Sequence, residues 1–154
     1  MTEQEKSMLL KDLCGRIPYD TVVYVNGNGD VYLDSVDWYE EVKVRDYRTC
    51  TYPIDDVKPY LRPMNSMTEK KAIEMFHTVC PDVETIGVEI NEDRVVFKTV
   101  DKDGHFSGHT VLFFNNVYSL NQMDWLNENH FDYRGLIPMG LALEAPKGMY
   151  KEED

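Results

Sequence analysis

Val22-Val23-Tyr24-Val25-Asn26-Gly27-Asn28-Gly29-Asp30-Val31-Tyr32-Leu33 is the stretch whose reading decides the fold. Val23 and Val25, then Val31 and Leu33, recur at every second position, the period of a half-buried strand. Between them, Asn26-Gly27-Asn28-Gly29-Asp30 supplies residues that tolerate the positive φ of a tight hairpin. Val42 and Val44 continue the alternation, so a meander of three or four strands is expected from Thr21 to about Pro53. A sheet this small must cover its apolar face, either by curling into a partial barrel or by packing under a helix.

A helix is expected on the N-terminal side. Thr2-x-x-Glu5 is a capping box, in which each side chain satisfies an orphan N–H at the helix start. Leu9, Leu10, Leu13 and Cys14 follow at helical spacing, and Gly15 and Pro18 mark the stop. On the C-terminal side, Pro53, Pro59 and Pro63 punctuate a connector from Pro53 to Pro63. Three prolines in that span exclude a central strand or a long helix from the expectation. Ile54, Val57, Tyr60 and Leu61 anchor it as an ordered, extended segment.

Beyond the connector, Ser66-x-x-Glu69 predicts a second helix running to Cys80, where Pro81 prevents continuation. Its buried face is expected to hold Ala72, Phe76, Val79 and Cys80. A second meander follows over Thr85–Ile90, Arg94–Val100 and Ser107–Asn115, with turns at 91–93 and 101–104. Ser119-x-x-Gln122 opens a third helix through His130. The stretch Phe131–Tyr150 is apolar and punctuated by Gly and Pro, which describes packed chain rather than a tail. The fold class is therefore α+β: an N-terminal helix with a small antiparallel meander, a Pro-rich connector, then a helix–antiparallel meander–helix half. The chain reads as a single compact domain over 1–154, with two packed halves at 1–63 and 64–150 and a frayed tail at 151–154.

Composition narrows the function. At 154 residues and 42% apolar content the chain can bury a sizeable core without staples. The longest apolar runs span four residues, as in Val111-Leu112-Phe113-Phe114, too short for a membrane helix. The N-terminus reads Thr2-Glu3-Gln4-Glu5, acidic where a secretory signal is basic. Cys14, Cys50 and Cys80 are odd in number and lack a Cys-x-x-Cys pair, which points to reduced thiols and a cytoplasmic location. Cys14 and Cys80 are placed on apolar helix faces. A net charge of −12 with no Lys/Arg cluster argues against direct binding of nucleic-acid phosphates. It favours solubility first and a basic partner surface second.

Candidate sites are sparse. Asn26, Asn28, Asp30 and Asp37 imitate a calcium loop, but the sixth position is Val31 rather than Gly, and Asp37 lacks the reach of Glu. Asp103, His105 and His109 share one hairpin arm. On a regular strand the two histidines would stand about 13 Å apart, too far to share a metal, unless a bulge at Gly108 changes the spacing. His77 and Cys80 are close enough to ligate one ion but lack two further ligands, so core packing is the expectation. His130, Asp132 and Arg134 follow the third helix, where capping and packing consume such groups. Motifs for serine hydrolases, P-loops, dinucleotide binding and zinc are absent. No catalytic, cofactor-binding or metal residue is assigned. Trp38, Tyr39, Tyr47 and Tyr52, in or near the first sheet, are the aromatic residues that could form an interaction surface, because Tyr and Trp give rigid contact area with a polar tip.

Three segments carry a resemblance: Leu9-Leu10-Lys11-Asp12-Leu13-Cys14; Ile54 to Met64 running into Ser66-Met67-Thr68-Glu69; and Asp124-Trp125-Leu126 with His130 to Ile137 and Gly140 to Pro146. Together they resemble a group of small proteins of unknown function from gut Bacteroidetes bacteria and from their phages and mobile elements. The resemblance implies only a bacterial or bacteriophage accessory protein made in the cytosol, and it transfers no activity, cofactor or catalytic residue. The function expected is a non-enzymatic, protein-binding module with no cofactor; the oligomeric state is left open. One alternative is a small enzyme or metal protein using the Asp103/His105/His109 hairpin or the His130–Arg134 segment. A further alternative is an acidic mimic of nucleic acid.

Overall fold

The structure is a computed structural model that describes residues 1–37, 39–45 and 50–151. The chain divides into two compact units, one built from 1–62 with 134–154 and the other from 63–133. Among the described residues, three helices and nine strands make an α+β fold with a six-stranded and a three-stranded sheet.

In the first unit, helix α1 (Glu3–Arg16) starts at the expected capping box. The Thr2 hydroxyl accepts from the Glu5 N–H, and the Glu5 carboxylate accepts from the Thr2 N–H. Strands β1 (Val22–Val25), β2 (Gly29–Val36), β3 (Glu41–Arg45) and β4 (Cys50–Pro53) form the meander. The β1–β2 turn holds Gly27 and Gly29 at φ 82°, conformations that side-chain-bearing residues resist. Leu9 and Leu13 of α1 join Val23, Val25, Leu33, Val42 and Val44 in one buried core, so a helix covers the apolar face. Among the described residues the sheet is open, in the order β4-β3-β2-β1-β5-β9, and no closed barrel forms.

Two expectations fail here. The connector contains a strand, β5 (Val57–Leu61), flanked by β1 on one side and by the short β9 (Leu143–Glu144) on the other. Pro59 is tolerated because of its position in the ladder. The Asn26 N–H donates to the Asp56 carbonyl, so bonded pairs alternate from there. Pro59 stands opposite Val23 at a non-bonded position, where its missing N–H would have faced away from β1. On the other side, β9 pairs only with Tyr60 and Leu61, beyond the proline. The second failure concerns α1. Its buried stripe is Leu9, Asp12, Leu13 and Arg16, while Cys14 is exposed and Leu10 only partly buried. The stripe is turned because Asp12 and Arg16 pair with each other on the inner face.

The last stretch of chain belongs to this first unit rather than to the half read as 64–150. Leu136, Leu141 and Ala142 enter its core, and β9 adds the sheet's single parallel pairing, with the Ala145 N–H donating to the Leu61 carbonyl.

The second unit holds α2 (Glu69–Val79), the antiparallel strands β6 (Glu84–Ile90), β7 (Arg94–Val100) and β8 (Phe106–Phe113), and α3 (Leu120–Glu128). The cap of α2 is Thr68, whose hydroxyl accepts from the Lys71 N–H. Ser66 instead donates to the Pro63 carbonyl within a short 3-10 turn, so the box read from Ser66 is displaced by two residues. Ser119 caps α3 as expected, accepting from the Gln122 N–H. Phe76 stacks on Phe97 with centroids 4.4 Å apart, joining the inner face of this sheet to α2. Among the described residues, no helix is long and apolar enough to cross a membrane.

Candidate functional site

Alternation along β1, β2 and β5 sends Val23, Val25, Leu33, Val57 and Leu61 into the core. The same alternation sends Tyr24, Tyr32 and Tyr60 to the opposite face of the six-stranded sheet. Register places Tyr24 between Asp30 on β2 and Lys58 on β5, and Tyr32 opposite Arg45 on β3. Tyr32 is 50% exposed and Tyr24 36%. The Tyr60 hydroxyl donates to Asp30 Oδ1 at 2.9 Å, and desolvation, reinforced by that carboxylate, holds its pKa above the ordinary phenol value. The Arg45 guanidinium lies 5.6 Å from the centroid of the Tyr32 ring and bonds to Asp20. Three phenols thus stand on one open sheet face, Tyr60 bonded to Asp30, Tyr32 beside Arg45, and Tyr24 placed by register between Asp30 and Lys58.

Sequence reasoning named other aromatics. Tyr39 is 85% exposed in the β2–β3 turn, where its N–H and that of Glu41 donate to Asp37 Oδ1. Tyr52 lies opposite the buried Val42 and is half-buried, packed against the core. Trp38 and Tyr47 lie outside the described residues. Tyr24 and Tyr32 carry their signal in the period-two pattern that buries Val23 and Leu33, while Tyr60, expected to anchor the connector, stands on the side opposite the buried Val57, Pro59 and Leu61.

The polar candidates separate. Asp101, Asp103 and His105 offer ligand atoms within 4.8 Å of one another, all exposed. Asp101 Oδ1 already accepts from the N–H groups of both Asp103 and His105, so the arrangement is a turn that shapes the β7–β8 hairpin. His109 is not part of it. A register shift between Thr99 and Val100 bulges β8 near Gly108, and the His109 ring meets Phe106 edge-on at 5.3 Å. With Gly87, Val88, Glu89, Val96 and Lys98 it lines a shallow cleft of about 320 Å³. His77 is exposed, contrary to the core expectation, while Cys80 is half-buried at the helix end.

His130 and Asp132 are buried in the second unit. His130 takes φ 62° just past α3, its N–H donating to the Asn127 carbonyl while that of Phe131 donates to the Leu126 carbonyl. Those two bonds close the helix, and the contact of Phe131 with the core completes a Schellman motif. Arg134 lies in the first unit, with Nε 3.4 Å from Asp12 Oδ1. Asp12 also receives Arg16 through two bonds of 2.7 and 3.0 Å. Asp12 and Arg16 are fully buried, so this network holds α1 to the returning chain rather than facing a ligand.

Comparison with known proteins finds no matching family model, no matching curated protein and no matching solved structure.

Proposed function

We propose that this chain is a non-enzymatic accessory module that binds another protein through the tyrosine-bearing face of its six-stranded sheet. The observation that carries the reading is the row of Tyr24, Tyr32 and Tyr60 on one open face, flanked by Asp30, Lys58 and Arg45. Tyrosine gives large contact area at low entropic cost and leaves a hydroxyl for a partner's backbone. The face itself is close to neutral, because Asp20 holds Arg45 and Lys58 stands across Tyr24 from Asp30. The net charge of −12 then acts at longer range and favours a partner with a basic surface. Free thiols suit the cytosol of a bacterial or phage-infected cell, in line with the resemblance.

The test is affinity capture with the wild-type chain and with Tyr24→Ala/Tyr32→Ala, each matched for thermal stability. A specific partner should be held by the wild type, lost at least tenfold by the double variant, and weakened by salt. Equal recovery by both chains refutes the assignment of this face.

A further inference from the structure

An asparagine followed by glycine is open to a spontaneous reaction of the main chain. The glycine nitrogen attacks the side-chain amide carbon of the asparagine, and the missing Cβ leaves that approach uncrowded. Of the chain's asparagines only Asn26 and Asn28 precede glycine, and Asp103-Gly104 is its single Asp–Gly step, open to the same ring closure. Asn26, Asn28 and Asp103 are all exposed. Sequence and exposure therefore leave the three steps level.

The attacking nitrogen separates them. It must first lose its proton, and a proton held in a hydrogen bond is released only when that bond opens. The Gly104 N–H donates to the Asp101 carbonyl at 3.0 Å. Gly29 opens β2 and pairs with Val25. The Leu33 N–H donates to the Thr21 carbonyl, so bonded pairs alternate from there and Val25–Gly29 is one of them. The Gly29 N–H is thus tied into the β1–β2 ladder. Gly27 stands at the middle of the loop between these strands, and the N–H groups on either side of it are both used. Asn26 donates to the Asp56 carbonyl at 2.9 Å and Asn28 to the Val25 carbonyl at 3.0 Å. The Gly27 N–H has no partner among the described residues. Beyond its chain neighbours, no heavy atom lies within 4 Å of where a Cβ on Gly27 would stand.

We propose that the Asn26-Gly27 step is a modification site, at which the folded chain converts Asn26 into aspartate and isoaspartate while Asn28 is spared. Hydroxide takes the Gly27 N–H proton, and the nitrogen bonds to Asn26 Cγ. The Cγ–Nδ2 bond breaks, and Nδ2 takes a proton from water and leaves as ammonia, which restores the hydroxide. Water then opens the succinimide ring. Cleavage between the Gly27 nitrogen and Cγ gives aspartate. Cleavage between that nitrogen and the Asn26 carbonyl carbon gives isoaspartate, whose main chain runs through the former side chain. The net reaction consumes one water and releases one ammonia. Each conversion adds a negative charge at the β1–β2 turn. Isoaspartate also inserts a methylene into a loop that the Val25–Gly29 pair closes, so the change falls on the hairpin that sets Tyr24 opposite Asp30.

Incubation of the full chain at mildly alkaline pH, followed by peptide mapping with fragment-ion mass spectrometry, tests the site. Asn26 should gain one mass unit, and enzymatic methylation of isoaspartate should label the same peptide. In the folded chain Asn26 should convert about tenfold faster than Asn28, because only the Gly29 nitrogen must wait for the ladder to open. In urea that protection is lost and the two rates should converge. Asn26→Gln should remove the fast conversion and leave the slow one at Asn28. Amide hydrogen exchange reads the same difference without chemistry, with Gly27 fast and Gly29 slow. An Asn26 that stays intact in the folded chain overturns the proposal, as does an Asn28 that converts at the rate of Asn26. A preference for Asn26 that persists unchanged in urea also overturns it, since neighbouring sequence rather than the ladder would then set the rates.

Discussion

Tyr150 places its hydroxyl where a β1–β5 ladder bond would otherwise form. The Val22 N–H donates to the phenol oxygen at 3.1 Å, and the phenol donates to the Tyr60 carbonyl at 2.8 Å. Arg62 holds the same residue from outside, donating to its carbonyl at 3.0 Å. Tyr150→Phe leaves two strand groups without that bridge and should cost about 1–3 kcal/mol in urea unfolding. Burial pushes the phenol from its ordinary 10.0 up to about 12. A folded-state pKa above the unfolded one means that its contribution is complete below pH 10 and lost as pH rises toward 12. Melting temperature measured between pH 8 and 12 should therefore fall less steeply in Tyr150→Phe than in the wild type. At the same scale, the fully buried Asp12 joins two guanidinium groups, that of the fully buried Arg16 and that of the partly exposed Arg134. Asp12→Ala removes their shared carboxylate and should destabilise by about 3–5 kcal/mol in the same measurement. Asp12 and Arg16 are visible in the sequence as a helical i, i+4 pair, yet nothing local says that the pair faces inward, because Arg134 arrives from the far end of the chain.

At the scale of the element, helix starts and strand periods were legible, since capping and alternation depend on residues within four positions of one another. The structure upholds the starts at Thr2 and Ser119 and moves the α2 cap to Thr68. Thr68→Ala should lower stability by about 1 kcal/mol, with a smaller loss for Ser66→Ala, whose hydroxyl bonds only an exposed turn. Equal losses would contradict this assignment of the cap. Strand β5 was not legible, because proline density is a sound local argument against a strand. What outweighs it is ladder parity, which places the nitrogen of Pro59 where no bond to β1 is needed.

Across the whole molecule, the boundary between units follows contacts rather than sequence order, with 134–154 returning to the unit formed by 1–62. Net charge also acts at this scale. Raising salt from about 10 mM to 0.5 M should increase the melting temperature, because screening weakens the self-repulsion of a −12 chain. An unchanged melting temperature would mean that the carboxylates are already locally neutralised.

The residues alone were sufficient for the α+β class, three helices, two strand groups and the hairpin at Asn26–Asp30, since each rests on steric and hydrogen-bonding preferences that act between near neighbours. Long-range closure decided the remainder. The pairing of β5 with β1, the wedge of Tyr150, the clasp of Arg134 on Asp12 and the arrival of Tyr60 on the face of Tyr24 and Tyr32 each join residues distant in the chain. Their energies depend on which surfaces meet, and period and propensity carry no record of that.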